Sequence, residues 1–438
     1  GAAVAILSLP VQAALVVPNV PLQSGDAVAP NVWFILDDSG SMEGTQMDDP
    51  SLAAVSGTGV NISSRTYVSN TIFYNPAKDY DPWQEFDGSF FPETEYTAAW
   101  GDASLASSPV NLALNNQFFY VPKADATDLT DPRQYYLWYF PTGGVSALRC
   151  ERLYNAGTDS WFWGNCTNIT TFTWTRSDGT TVTRDLDEEL ENYATWYSYH
   201  RTRMKVAKAG TSYAFNDLGD DVRVGFTTIW DRNKLDIPVA TDNGRFRNLG
   251  ASTNRSTWFA RLFAAEGEGT TPLIPALSRA GDMYDDTGAS SPWGPETGTA
   301  QLACRQNFTI LTTDGFWNGS IGTRTIGDQD GQPGASILNP ADDSDIVRYT
   351  KRHPYRDTNG DTNWENTLAD VAMKYWKTDL RPDQDNIIPT SAENTAFWQH
   401  MVTFGISIGL RGTLDPVTDM PGLVAGTTQW PDPINNTG

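Results

Sequence analysis

Hydrophobic residues run almost uninterrupted through four short stretches: Asn31–Leu36 (NVWFIL), 222–229 (VRVGFTTI), 308–313 (FTILTT) and 401–409 (MVTFGISIG). A strand with one wet face alternates apolar and polar residues, so continuous runs predict strands covered on both faces, as in a parallel sheet. Residues 192–209, 255–265, 272–284 and 366–380 carry their apolar positions at helical spacing instead. Pro272 suits the first turn of its helix, where a missing N–H leaves no bond unmade. Strands alternating with helices predict an α/β fold: a doubly wound, mostly parallel sheet with helices on both faces. Such sheets take ligands outside the carboxyl ends of their strands.

Two stretches break the alternation. Residues 43–190 separate the first strand from its helix, far beyond the usual connection of about two to six residues. Strand signals recur there at 133–140 (RQYYLWYF), and 171–176 and 180–184 flank Ser177-Asp178-Gly179, a good hairpin turn. The expected organisation is a sheet domain over 14–43 and 191–430, with a mostly-β subdomain inserted at 44–190. A polar, Gly/Asp/Pro-rich loop insert follows at 319–364, and 431–438 reads as a linker. The aromatic clusters of the first insert, Trp161-Phe162-Trp163 among them, suit a sugar-stacking surface or, the favoured reading, the core of a small subdomain.

Composition narrows the function. With 39% hydrophobic and 12% aromatic residues the chain is a folded protein, and 30 Lys+Arg against 53 Asp+Glu give a net charge of −23. That charge repels phosphates and excludes a nucleic-acid partner. The three cysteines (Cys150, Cys166, Cys304) and three histidines (His200, His353, His400) form neither a CxxC nor an HExxH motif, which excludes zinc hydrolase chemistry. Residues 2–10 are apolar and Val11-Gln12-Ala13-Ala14 resembles a signal-peptidase site, so 1–13 is expected to be a signal-peptide remnant; a buried N-terminal element is the other reading. No later apolar run reaches the roughly 18 residues of a transmembrane segment. Export permits a Cys150–Cys166 disulfide, with Cys304 left as a small core residue.

Candidate chemistry sits where the strands end. Asp37-Asp38-Ser39-Gly40-Ser41 follows the first buried strand, Gly269-Thr270-Thr271-Pro272 precedes a helix, and Asp314-Gly315 follows the strand at 308–313. Converging on one rim, Asp37, Ser39, Ser41, Thr271 and Asp314 would surround a cation with oxygen donors only, which suits Mg²⁺, Mn²⁺ or Ca²⁺ and disfavours zinc or copper. Few protein ligands with room for water suit Mg²⁺ best. The two carboxylates at most offset the ion's charge, leaving it able to take a carboxylate from a partner. Asp38 points the other way along the turn and is a neighbour rather than a ligand. This order of motifs resembles the metal-ion-dependent adhesion site of von Willebrand factor A domains. A second cation candidate is the run Asp357, Asn359, Asp361, Asn363, Glu365, whose alternating oxygen side chains suit the first part of a calcium loop. Leu368 stands where that loop needs a bidentate Glu, and a solvated turn is the competing reading. Asp328-Gln329-Asp330-Gly331 is a weaker cation candidate, for which a turn is the favoured reading.

The text around these motifs resembles PilY-type type IV pilus tip proteins: residues 30–42, 69–76 (SNTIFYNP), 80–83 (YDPW), 193–209, 304–317, 367–382 and 398–412. The resemblance implies a secreted adhesin and pilus biogenesis factor with a von Willebrand factor A-like domain, exported through the periplasm to the pilus tip at the cell surface. Its implied partners are minor pilins and a host-cell or abiotic surface ligand supplying a carboxylate. It further implies a last sheet-covering helix beyond residues 430–433 and a C-terminal β-propeller with its own calcium loop beyond residue 438, so the chain is expected to be a fragment. The alternative is a structural or force-sensing assembly module whose cation only stiffens a loop. An enzyme is not expected, because no Ser/His/Asp or Cys/His arrangement is evident and His200 lies in a basic helix.

Overall fold

The structure is a computed structural model that describes residues 28–47, 62–158, 160–248, 250, 253–318, 325–339, 342–357, 364–409 and 412–432. The signal-peptide segment 1–13 lies outside these residues. β1 (Asn31–Leu36) leads into a mostly-β section: β2 (Gln117–Pro122), β3 (Tyr135–Phe140), β4 (Ala147–Asn155), β5 (Ser160–Ile169), β6 (Thr171–Thr175) and β7 (Thr181–Asp185). Then come α1 (Leu186–Tyr199), α2 (Arg203–Asn216), β8 (Arg223–Thr228), α3 (Asn254–Ala264), α4 (Leu273–Asp285) and β9 (Asn307–Thr313). The chain continues through β10 (Ile337–Asn339), β11 (Asp342–Val347), α5 (Leu368–Lys377), β12 (Met401–Ser407) and α6 (Met420–Ala425).

The four apolar runs form one sheet of order β12-β9-β1-β8, parallel throughout. Successive side chains of a strand point to opposite faces, and β1 uses both. Trp33 and Ile35 pack with Leu273, Leu277, Val371 and Tyr375 of α4 and α5. Phe34 and Leu36 pack with Met204 and Phe215 of α2 and Trp258 and Leu262 of α3. Helices therefore cover both faces of a mixed α/β fold, and β1, between two strands and two helix layers, has no wet side. Its register aligns Leu36 with Thr228 and Ile35 with Leu311, so the strands on either side end beside it.

The section after β1 has its own core. β2-β3-β4-β5 is an antiparallel meander, β6 and β7 form the expected hairpin, and a Cys150–Cys166 disulfide joins β4 to β5. Tyr74, Phe119, Trp138, Phe140, Phe172 and Trp174 bury against Tyr193 and Trp196 of α1. These aromatics are core, whereas Phe162, of the Trp161-Phe162-Trp163 cluster, stays 44% exposed. Cys304 is half-buried rather than in the core. Within the insert expected to be loop-rich, β10 and β11 pair as a hairpin.

One helix expectation is corrected. Residues 192–209 do not form a single helix: α1 ends at Tyr199 with His200 as its C-cap, and α2 starts afresh where the Thr202 hydroxyl accepts the N–H of Lys205 at 3.2 Å. A straight helix has one apolar stripe, but this segment serves two cores. α1 faces the aromatic insert and α2 faces the parallel sheet, and the capped break turns one into the other. Two buried lysines close the seam. Lys205 Nζ donates to the carbonyls of Trp100, Tyr197 and Gly101, and Lys208 Nζ to those of Ala103, Phe263 and Ala265. Each ammonium thus ties the insert to helices of the sheet domain. Lys208→Met strands three carbonyls without donors, and because a buried unsatisfied acceptor costs about 1–3 kcal/mol, a destabilisation of roughly 3 kcal/mol is expected. A urea midpoint unchanged in that variant would show that the lysine does not hold the seam.

Candidate metal centre

β1 delivers Asp37 to the carboxyl edge of the sheet, fully buried. Its backbone N–H donates to Thr312 Oγ1 at 3.3 Å, its Oδ1 accepts the N–H of Ser39 at 2.8 Å, and its Oδ2 accepts the Thr313 hydroxyl at 2.7 Å. Burial raises its pKa; hydrogen bonds from Ser39 and Thr313 act the other way, and the charge of Asp314 adds to the rise. The chain then turns through a short 3-10 segment, Gly40–Glu43, whose Met42 is fully buried among Phe34, Leu36 and the α2 and α3 side chains. That anchor presents Ser39 and Ser41 on one side, their hydroxyls hydrogen-bonded to each other at 2.9 Å.

The neighbouring strand supplies the second acid. Ser41 Oγ donates to Asp314 Oδ1 at 2.8 Å, and Asp314 Oδ2 accepts from Arg203 Nη1 at 2.8 Å. Ser39, Ser41, Asp314 and Arg203 thus form one hydrogen-bonded chain beside Asp37. The third loop arrives through its glycines. Gly269 accepts the N–H of Gly40 at 3.1 Å and has φ +84°, and a Cβ on Gly267 would lie 2.8 Å from the Ser39 carbonyl oxygen. Only glycine allows that approach. The same loop carries Thr271, buried, whose N–H donates to Asn318 Oδ1 at 2.7 Å while its carbonyl accepts the Asn318 N–H at 3.1 Å.

Asp37, Ser39, Ser41 and Asp314 therefore share one rim, and the Thr271 loop packs against their turn. Asp38 faces away. Its carboxylate accepts from Arg232 Nε at 2.9 Å and from the Trp230 N–H at 3.3 Å, and its carbonyl accepts the Glu268 N–H at 2.7 Å. Of the second candidate set, Asn359, Asp361 and Asn363 lie outside the described residues, and Glu365 is exposed. Asp357 is half-buried, and burial, then Asp370 and Asp328, push its pKa up to about 6.

Sequence reasoning missed Arg203. It comes from α2, and its Nε donates to the Gln46 carbonyl while its own N–H donates to that of Gly44. Its only sequence signal is that it opens a helix next to a capping Thr. The oxygen donors at the rim are all hydroxyl or carboxylate, and of its two buried acids Asp314 is the one paired with Arg203. That set fits a hard divalent cation by donor type and by the negative charge left over. Without a cation, Arg203 is the countercharge of Asp314. A buried carboxylate that loses its partner is costly, so Arg203→Met is expected to destabilise the chelator-treated protein by about 2 kcal/mol, the partial exposure of Arg203 holding the figure down. Asp314→Asn should then cost less in that background than alone. Additive effects in the denaturation cycle would mean that the two side chains do not act as a pair.

No family model matches this chain, and no solved structure matches it significantly. It is 30% identical, over 466 aligned positions, to the type IV pilus biogenesis factor PilY1 of Pseudomonas aeruginosa strain PAO1. The PilY1 proteins of strains UCBPP-PA14 and PAK are each 29% identical to it. Each alignment covers 97% of this chain and 36% of the relative. The chain is thus similar, almost from end to end, to about a third of the length of a type IV pilus biogenesis factor.

Proposed function

We propose that this chain is the cation-dependent adhesion and assembly module of a secreted type IV pilus-associated protein, with its parallel sheet serving as a von Willebrand factor A-like domain. The observation that carries the reading is the joining of Ser39, Ser41 and Asp314 by hydrogen bonds at the carboxyl edge, with Asp37 buried beside them. Ser39, Ser41 and Thr271 would offer neutral oxygens, and Asp37 and Asp314 charged ones, to Mg²⁺, or to Mn²⁺ or Ca²⁺. The bound ion supplies an electrophilic position for a carboxylate of the partner. The chain's own part is to hold these oxygens before the partner arrives. Met42 fixes the turn, Thr313 and the Ser39 N–H orient Asp37, and Asn318 clamps Thr271 by its backbone.

The similarity to PilY1 supports a pilus setting, with minor pilins and a surface or host-cell ligand as the partners. The Cys150–Cys166 disulfide supports passage through an oxidising compartment. Among the described residues no helix is long and apolar enough to cross a membrane. Binding rather than turnover is the favoured activity. Asp38, which follows Asp37 in the chain, is held by Arg232, and His200 Nε2 donates to the Asp81 carbonyl in the insert. The Arg203–Asp314 pair favours a second reading, in which the rim is a structural clasp for a force-bearing module and the cation only stiffens it.

Calorimetric titration with Mg²⁺, Mn²⁺ and Ca²⁺ tests the proposal. Ser39→Ala and Asp37→Ala are expected to weaken binding by roughly tenfold or more, and to abolish cation-dependent attachment of piliated cells. Titrations unaffected by either substitution would refute the cation site. Loss of binding with attachment intact would favour the clasp.

A further inference from the structure

Between β9 and α5, away from the rim, a second group of acids is drawn together. Asp328 and Asp330 stand in one turn and Asp370 in the first turn of α5, and one carboxylate oxygen of each lies within 4.8 Å of the others. Two of the three have local work. Asp370 Oδ2 accepts the N–H and the hydroxyl of Thr367 at 2.9 and 3.0 Å, and its Oδ1 accepts the Gln329 N–H at 2.6 Å. Asp328 Oδ1 accepts the Gly331 N–H at 2.7 Å, and its Oδ2 accepts from the Gln332 side chain at 3.4 Å.

Asp330 is different. It is 1% exposed, and neither of its carboxylate oxygens accepts a hydrogen bond from an N–H or hydroxyl donor among the described residues, its close carboxyl neighbour being the like-charged Asp328. Its backbone carbonyl is satisfied by the Tyr349 hydroxyl at 2.9 Å, so the side chain alone is stranded. A carboxylate out of water with no donor is among the costliest groups a fold can hold, and neighbouring acids make it worse. Burial, followed by the charges of Asp357, Asp370 and Asp328, pushes its pKa up to about 7. The nearby ammonium of Lys377 donates to the carbonyls of Gln329 and Gln332 at 2.5 and 3.0 Å. Lys377 thus stands near the three clustered carboxylates, with Asp357 beyond them.

We infer that Asp328, Asp330 and Asp370 bind a hard divalent cation of the calcium class, with Asp330 as the ligand that no donor among the described residues satisfies. All donors are oxygens, which disfavours zinc and copper. Three carboxylates exceed the one or two that Mg²⁺ ordinarily takes, and suit an ion accepting six to eight oxygens in loose geometry. The ion would join the 328–331 turn to the start of α5, whose Val371 and Tyr375 pack on the sheet through Trp33 and Ile35. None of these ligands belongs to the Asp37 rim, so the site stands or falls separately.

Terbium luminescence of the chelator-treated chain tests the inference, because Tyr349 is placed to sensitise an ion held beside Asp330. Tb³⁺ emission excited through the aromatic residues should appear and be displaced by Ca²⁺. Asp330→Asn keeps the shape of the side chain and is expected to weaken Ca²⁺ roughly tenfold or more. Asp328→Asn should do the same, while Ser39→Ala leaves this component unchanged. Ca²⁺ should also raise the melting temperature of the unmodified chain more than that of Asp330→Asn. If Asp330→Asn and Asp328→Asn, both folded by circular dichroism, bind Ca²⁺ as tightly as the unmodified chain, or if no Ca²⁺-displaceable emission appears, the site does not exist.

Discussion

An aspartate placed at the end of a strand with no wet face is the constraint on which this structure depends. β1 is covered by strands on both edges and by helices on both faces, so Asp37 must emerge into a dry rim, where it is fully buried. An ionised carboxylate survives there only if donors or a countercharge are brought to it. The turn after it and the strand beside it bring Ser39 and Thr313, and the same two elements bring Ser41 and Asp314 together. The site is therefore a consequence of the burial of β1 rather than an addition to a finished fold.

The large insert fits the same logic. It leaves the sheet after the Ser41 turn and returns through α1 and α2, and α2 carries Arg203 back to Asp314. Breaking the helix at Thr202 lets α1 close an aromatic core while α2 covers the sheet. Lys205 and Lys208 then lock the insert to the sheet domain through carbonyl groups. Whatever bears on the insert is connected through this short path to the acid at the rim.

Much of this was legible in the sequence, and for a physical reason. The four apolar runs pair with one another as one parallel sheet, and the residues that follow them share its edge. The hairpin at Ser177-Asp178-Gly179 and the helices expected at 255–265 and 366–380 were readable because their signals are local. What escaped depends on distant partners. Arg203 meets Asp314 across 111 residues of chain. His200-Arg201-Thr202 is polar enough to ride on a continuous helix, and only the two cores demand a break. Asp328-Gln329-Asp330-Gly331 is only a weak cation candidate, more turn than site, until α5 adds Asp370, and the burial of Asp330 away from donors among the described residues has no trace in composition or spacing.

Anomalous diffraction from crystals of this chain grown with Mn²⁺ would test the central claim most directly. The account predicts a manganese peak bounded by Ser39 Oγ, Ser41 Oγ and the carboxylates of Asp37 and Asp314, with the direct Ser39–Ser41 and Ser41–Asp314 hydrogen bonds replaced by bonds to the ion. No peak there at saturating Mn²⁺, with Ser41 still bonded to Asp314 and Asp314 to Arg203, would contradict it.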